Sequence, residues 1–448
     1  MAFLQNVFWF LILIGVMILL HEMGHYLMAR LFDVKIEAFS FGFGPRLFGF
    51  KRGETDFKVC AFLMGGYVKM AGEQPGDESA ADPRAFPQKP RWQRLLIIFA
   101  GPAVNAVLAV VILTGLYMFE YFKVPNPPNP VVGSVTVGGA ADRAGIREGD
   151  RVVEIDGQMS PTWETIQIKE IANAKRALDV WVERNGQRLN LTLTPDYNET
   201  QGMGNAGWAA QSDVLVAGYC CGVDAAEKAG LKKGDVFVSV NGQPIRSSAR
   251  LLEVLEANKD APAKIVYRRD GVEHETTVNP VWNDYEGSQR WRIGAGLQTP
   301  YEIVQLPFGD ALRESWRQNT QYAGLLYKFL QGMIEQRMSA KNLEGPIGIA
   351  RMSGEAAKQG AANFLGLMAM VSMNLAVVNL LPIPLLDGGG ILMLLIEMLM
   401  QRDLSLRVKE AVVKVGLVFI MALVVFVIYN DISKAIPSRT PPVKTQTN

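Results

Sequence analysis

Residues 19–30 read LLHEMGHYLMAR and close the apolar run VFWFLILIGVMILL of residues 7–20. The chain has three histidines, and two of them, with a glutamate between, sit inside its first apolar segment. An ionisable group at membrane depth is costly and marks a functional site by default. The apolar run alone is shorter than the roughly 20 residues a spanning helix needs, so HEMGHYLMA must complete the span rather than follow it. On a helix, H-E-x-x-H sets His21 and His25 about 400° apart, stacked on one face where both imidazoles reach one zinc ion. Glu22 lies about 100° from His21, placed to take a proton from a metal-activated water without being a ligand.

Bulk composition agrees with a chain that is part membrane and part soluble. It has 448 residues, 49% hydrophobic and 20% charged, with a net charge of +1. That length predicts several domains, and that charge gives no reason to expect a nucleic-acid partner. Cys60, Cys220 and Cys221 form neither a disulfide framework nor a C-x-x-C knuckle and read as small apolar residues. The opening MAFLQN lacks a basic n-region, and no small-residue cleavage site follows the apolar run. The first span is therefore expected to be an uncleaved anchor.

Three further apolar stretches have spanning length: residues 95–117, 364–384 and 412–429. Eleven basic residues, from Arg30 to Arg94, lie between spans one and two. Arg402, Arg407 and Lys409 lie between spans three and four, and none precedes Val7. The positive-inside rule places both those loops in the cytoplasm, and the N-terminus, the long middle and the C-terminus outside.

The middle is an internal repeat. Residues 140–158, AADRAGIREGDRVVEIDGQ, align without a gap on residues 225–243, AAEKAGLKKGDVFVSVNGQ, at an offset of 85. Each copy predicts a short helix, a Gly-Asp turn, an apolar strand and an Asp-Gly or Asn-Gly hairpin turn. This resembles a PDZ domain in the permuted order of bacterial proteases. Such domains accept an extended peptide on a sheet edge and hold its terminal carboxylate in a backbone nest. VVGSV (131–135) and VLVAG (214–218) are the candidate nest strands. A pair that binds nothing and screens by size is the alternative. Residues 307–338 carry apolar positions at helical spacing.

Two histidines leave the site short of a ligand, and His274 lies in the second repeat, on the outer side. Asp387, in NLLPIPLLDGGG, reads in isolation as a turn residue. Depth separates the readings. Span one enters from outside, which puts His21 and His25 roughly 20–27 Å in. Span three also enters from outside, and Asp387, beyond the breaks at Pro382 and Pro384, reaches the same cytoplasmic third. In span two, Gly101 and Asn105 form a small-xxx-polar pattern that lets helices pack closely and hydrogen-bond. Residues 35–70 read as glycine-punctuated strands, with an edge that an extended substrate can pair with; an ordinary cytoplasmic hairpin is the bland reading.

HEMGH, FGFGP, GGYVKM, GPAVN, the two repeats, LEGPIGIA and NLLPIPLLDGG together resemble the site-2 protease family of intramembrane zinc metalloproteases, over nearly the whole chain. The resemblance implies one zinc per chain on His21, His25 and Asp387, with Glu22 as catalytic base. It gives Asn379 the role of holding the substrate backbone, with Tyr67 as a further substrate contact and Gly101, Asn105, Pro382 and Gly388 as structural neighbours. The implied fold is a multi-pass α-helical protein of the bacterial inner membrane with four transmembrane helices, a membrane-associated β-loop and two periplasmic PDZ domains. The expected organisation is helix one with HExxH over 1–34, the β-loop over 35–93, helix two over 94–120 and PDZ domains over 121–208 and 209–300. An amphipathic helical linker over 301–360 follows, then helix three with NxxPxPxxDG over 361–400, and a cytoplasmic loop, helix four and tail over 401–448. The implied activity is a zinc-dependent endopeptidase in regulated intramembrane proteolysis. Its substrate is the membrane-spanning segment of an anti-sigma factor already trimmed outside, with remnant signal peptides as a second class. The rival readings are a non-catalytic PDZ receptor or chaperone, and a metal transporter.

Overall fold

The computed structural model describes residues 2–73, 77–126, 128–198, 202–285, 288–336, 338–339 and 344–435. The chain forms two compact units: Met1–Glu120, Gln305–Tyr327 and Lys341–Asn448 make one, and Tyr121–Val304 with Lys328–Ala340 the other. The tail expected at 436–448 lies outside the described residues.

The first unit opens with α1 (Ala2–Leu31), the antiparallel hairpin β1 (Ile36–Arg52) and β2 (Thr55–Met70), and α2 (Arg91–Phe119). The hairpin is long and irregular. Gly42 and Gly44 take positive φ, which lets β1 bend and shift register against β2 without the steric cost a Cβ would carry. It is buried around Ile36, Phe39 and Val68, whereas Phe43, Leu47, Phe48, Phe50 and Phe62 are exposed.

The second unit contains the repeat. A short strand β3 (Tyr121–Lys123) leads into the first module: β4 (Val132–Val135), α3 (Ala140–Arg143), β5 (Arg151–Ile155), β6 (Gln158–Met159), α4 (Trp163–Ala172), β7 (Leu178–Arg184), β8 (Gln187–Leu193), β9 (Asp196–Asn198), β10 (Met203–Asn205) and β11 (Trp208–Ala210). The second module repeats the plan: β12 (Leu215–Tyr219), α5 (Ala225–Lys228), β13 (Val236–Val240), β14 (Gln243–Pro244), α6 (Ser248–Asn258), β15 (Ala263–Arg269), β16 (Val272–Val278), the hairpin β17 (Val281–Tyr285) and β18 (Ser288–Arg292), and β19 (Ala295–Gln298). Strand β20 (Glu302–Val304) returns to pair with β3.

Both hairpin turns are the primed type that the strand twist favours: Asp156-Gly157 and Asn241-Gly242 have positive φ at both positions. Thr162 and Ser247 cap α4 and α6, each accepting from a backbone amide three residues on. Each module has its own apolar core, around Val152, Ile166 and Val180 in one and Phe237, Leu251 and Ile265 in the other.

The chain then returns through α7 (Phe308–Ile334), α8 (Pro346–Gln359), α9 (Ala361–Asn379), α10 (Asp387–Met400) and α11 (Leu406–Ala435). Among the described residues, four helices are long and apolar enough to cross a membrane: within α1, α2, α9 and α11. The span expected over 361–400 is two helices, α9 and α10, divided where breaks at Pro382 and Pro384 were expected. Residues 380–386 between them contain Pro382 and Pro384, which supply no amide hydrogen to the helix ladder.

Two other expectations change. Strand β12 lies between β13 and β19, and β4 is paired by β11 on one side and met by residues 150–151 on the other, so neither is a free edge; β11 and β19 come from each module's far end. Cys220 and Cys221 are joined to one another by a disulfide in the turn after β12, where Cys221 has positive φ. They are therefore not ordinary apolar fillers.

The repeat also carries an ion pair that the aligned motif did not announce. Arg184 Nε donates to Asp150 Oδ1 at 2.7 Å, and Arg269 Nε to Asp235 Oδ1 at 2.7 Å, one repeat length apart. Burial pushes the Asp235 carboxyl up, but Arg269 and the Lys232 amide outweigh it and hold the group below its ordinary 3.8. The stabilisation is therefore whole above that pH and lost as pH falls through the folded value. Asp235→Ala should destabilise the second module by removing the carboxylate that accepts from Arg269 and from the Lys232 amide. Faster hydrogen exchange in β13 and β15 of the full chain, with the first module unchanged, is the expected readout.

Candidate metal centre

Helix α1 brings His21 and His25 onto one face, with Nε2 atoms 3.2 Å apart. Their ring planes are close to perpendicular, so the two nitrogens converge on one point instead of stacking. The rings lie against α2, and that approach depends on two glycines. A Cβ on Gly24 would sit 2.5 Å from the Ala100 carbonyl oxygen. One on Gly101 would sit 2.3 Å from His25 Nε2 and 2.8 Å from His21 Cε1. Small residues at both positions let the helix backbones close on one another.

Helix α2 also orients the imidazoles. His25 Nδ1 donates to the Ile97 carbonyl at 2.8 Å. The amide of Asn105, fully buried, lies 3.3 Å from His21 Nδ1, and its Oδ1 has no other partner. With that oxygen turned to the ring, as the orientation of a side-chain amide allows, it accepts the Nδ1 proton. Both Nε2 lone pairs are then free on the same side, the arrangement typical of metal-ligating histidines.

Asp387 closes the site from α10. Its Oδ2 is 3.1 Å from His21 Nε2 and its Oδ1 3.5 Å from His25 Nε2. One donor atom from each of the three residues lies within 4.8 Å of the others. Two nitrogens and one carboxylate, gathered so closely in a largely apolar bundle, fit a divalent ion that keeps a fourth position open. The turn that delivers Asp387 is tight. A Cβ on Gly388 would meet the Leu381 carbonyl oxygen at 2.2 Å, and one on Gly389 the Ile383 carbonyl oxygen at 2.4 Å.

Glu22 faces the hairpin. Its Cγ lies 3.0 Å from where a Gly66 Cβ would be, so a larger residue in β2 would crowd it. Tyr67, next along β2, stacks on Phe43 and lies under the Lys58 ammonium. Asn379 ends α9 and is partly exposed. Pro382 lies in the turn between α9 and α10. His274 stacks on Tyr267 in the second unit and takes no part in the cluster.

Several contacts around the site escaped the sequence reading. Ser372 Oγ donates to the Asn105 carbonyl at 2.8 Å, tying α9 to α2. Glu73, after β2, accepts from the Met70 amide at 3.2 Å and is near enough to feel charge on Asp387. Glu397, ten residues beyond Asp387 on α10, is buried between Arg94 of α2, at 3.7 Å, and Lys409, at 2.7 Å. Of the residues in these contacts, the sequence reading had singled out Asn105, and Arg94 and Lys409 only as basic residues beside the spans.

The model of peptidase family M50 matches residues 9–423 of the chain. A Neisseria meningitidis protein with the provisional name zinc metalloprotease is 30% identical over 443 residues, covering 95% of this chain and 98% of that one. The Salmonella typhimurium protein named regulator of sigma-E protease RseP is 30% identical over 455 residues, covering 97% and 100%.

Gly101→Ala should lower bound metal at least about tenfold by pushing the imidazoles off α2. Gly115→Ala on the same helix, where an added Cβ meets nothing, should leave it unchanged; metal analysis of the two purified variants makes the comparison.

Proposed function

The chain belongs to peptidase family M50, the site-2 protease family, and from that premise we propose that it is a zinc endopeptidase cutting single-span membrane proteins within the bilayer. The observation that carries the proposal is the convergence of His21, His25 and Asp387, with Glu22 one residue from the first ligand. Zinc held there would polarise the scissile carbonyl and lower the pKa of the attacking water.

The remaining work falls to the chain. Glu22 takes the water's proton and returns it to the leaving amide nitrogen. Ile97 and Asn105 fix the ring orientations. A transmembrane helix hides its amides in its own hydrogen bonds, so the substrate must be drawn out before attack. Strand β2, with Tyr67, offers an edge for an extended segment, and Asn379 holds the segment's backbone from the opposite side. The exposed apolar side chains of the β1–β2 hairpin support a membrane-associated loop.

The charge pattern supports a chain of the bacterial inner membrane whose modules and C-terminus are periplasmic and whose site lies toward the cytoplasm. We read both modules as PDZ domains, because each carries the permuted PDZ signature and packs its own core. Bulky external domains are screened there, and a shortened stump passes. The family resemblance implies as substrate an anti-sigma factor trimmed outside, with remnant signal peptides as a second class.

Glu22→Gln should retain zinc yet lose cleavage of a model single-span stump by about a thousandfold. Asp387→Ala should lose both zinc and cleavage. A Glu22→Gln protein that still cuts, prepared free of other proteases, removes the assigned base.

A further inference from the structure

Residues 38–41 of β1 pair with two stretches of β2, residues 56–59 on one side and 66–69 on the other. The end of β2, from Gly66 to Met70, is therefore a border strand. Beyond it the ladder continues, because the Ala71 amide donates to the Lys35 carbonyl at 2.9 Å. Backbone groups alternate in direction along an antiparallel strand. Tyr67, Lys69 and Ala71 thus face β1, and Gly66, Val68 and Met70 turn their amides and carbonyls to the outer edge.

Two acidic side chains stand against that edge. The Val68 amide points to the Glu22 carboxylate. The Met70 amide donates to Glu73 Oε2 at 3.2 Å, and the Glu73 amide donates back to the Met70 carbonyl at 3.3 Å. Glu73 therefore takes both outward groups of Met70. At Val68 it is the amide that is engaged, and Gly66 presents the next outward pair. Glu73 is itself exposed, so a strand advancing along the edge meets its side chain.

The turn that carries Glu73 is fixed from several sides. Gly72 has φ +72° in the third position of the turn from Met70 to Glu73, where glycine is the residue without steric cost. A Cβ there would lie 2.7 Å from Ala80 Cα. The Gly72 amide donates to Ser79 Oγ at 2.8 Å, and the Phe86 amide to the Ala71 carbonyl at 2.9 Å. The carboxylate is thus held at the end of the strand.

An unbounded edge would leave the register of a paired segment undefined. Strand geometry repeats every two residues, so an extended chain can slide by two and keep the same side chains on the same faces. Each slide would carry a different peptide bond to the metal. We propose that Glu73 is the stop of this edge: an extended substrate pairs with β2 as far as Val68 and is halted at Met70, which decides the peptide bond that lies over His21, His25 and Asp387. Glu73 touches no reacting atom in this role and is a positioning residue. The proposal rests on reading β2 as the substrate's edge.

The test follows a model single-span stump in two ways, with full-length protein in detergent. Mass spectrometry of the products locates the cut. Single photoreactive residues along the stump, presented to non-cleaving Glu22→Gln protein with and without each Glu73 substitution, locate the part that lies against residues 66–70. One cut position is expected in wild type. Glu73→Ala should add a second cut two residues away, in amount within about tenfold of the first because one hydrogen bond separates the registers. The cross-link should spread by the same two residues. Glu73→Met, which keeps the stem and loses the acceptor, should do likewise, whereas Glu73→Gln still accepts from Met70 and should keep the single position. An unmoved cut and cross-link in both Glu73→Ala and Glu73→Met overturns the proposal, even if rate or bound zinc falls. So does a spread in Glu73→Gln equal to that in Glu73→Met, or a stump that is cut but never cross-links to residues 66–70. A stump whose cross-link moves as expected but which wild-type protein never cuts overturns the protease reading and leaves the stop standing.

Discussion

The site depends on how closely α1 approaches α2. Two imidazoles and a carboxylate cannot share an ion unless the helices carrying them come within side-chain reach, and most helix pairs are held apart by the residues between them. Gly24 and Gly101 remove that spacing at the level of the histidines. Every other feature of the centre follows from the contact: the Ile97 carbonyl becomes reachable, Asn105 lies beside His21, and the face left free is the one that α10 fills with Asp387. The buried Arg94–Glu397–Lys409 cluster then fixes α10 against the N-terminal end of α2. Breaking such a buried cluster would strand a charge in an apolar bundle, so the depth of Asp387 is set from both ends of its helix.

Much of this was legible in the residues. The four apolar segments, the Asp-Gly and Asn-Gly turns and the repeat each rest on local chemistry, which a linear reading captures. The three-residue cluster was legible for a less local reason: bilayer depth acts as a coordinate, so positions far apart in sequence can be compared by their distance along a span. Depth says nothing of azimuth, however. Which face of α2 meets the histidines, and that Gly24 and Ser372 help decide it, could not be read from spacing. The break between α9 and α10 was signalled by Pro382 and Pro384, yet its tightness rests on backbone approaches at Gly388 and Gly389 that only the fold displays.

The modules illustrate a different limit. Alignment of their strongest motif stops at residues 158 and 243, before the strands that complete each sheet. The candidate nest strands were therefore the first strand of each copy, whereas their partners β11 and β19 come from the other end. The paired arginines opposite Asp150 and Asp235 were missed for the same reason: they lie outside the matching stretch, on strands whose sequences share little beyond alternation. Adjacent cysteines defeated a rule built on spacing, because Cys220 and Cys221 are bonded across a single peptide link.

The hairpin bears on how the protein is made. Phe43, Leu47, Phe48, Phe50 and Phe62 of the β1–β2 hairpin are exposed, and in water such a surface would seek other chains as readily as its own. The hairpin follows α1 directly in the chain and precedes every other helix. During synthesis it therefore emerges with only one helix to lie against. Its biogenesis calls for lipid, or a chaperone standing in for lipid, before α2 has left the ribosome, so early delivery of α1 to the bilayer protects the next segment as well as anchoring the first.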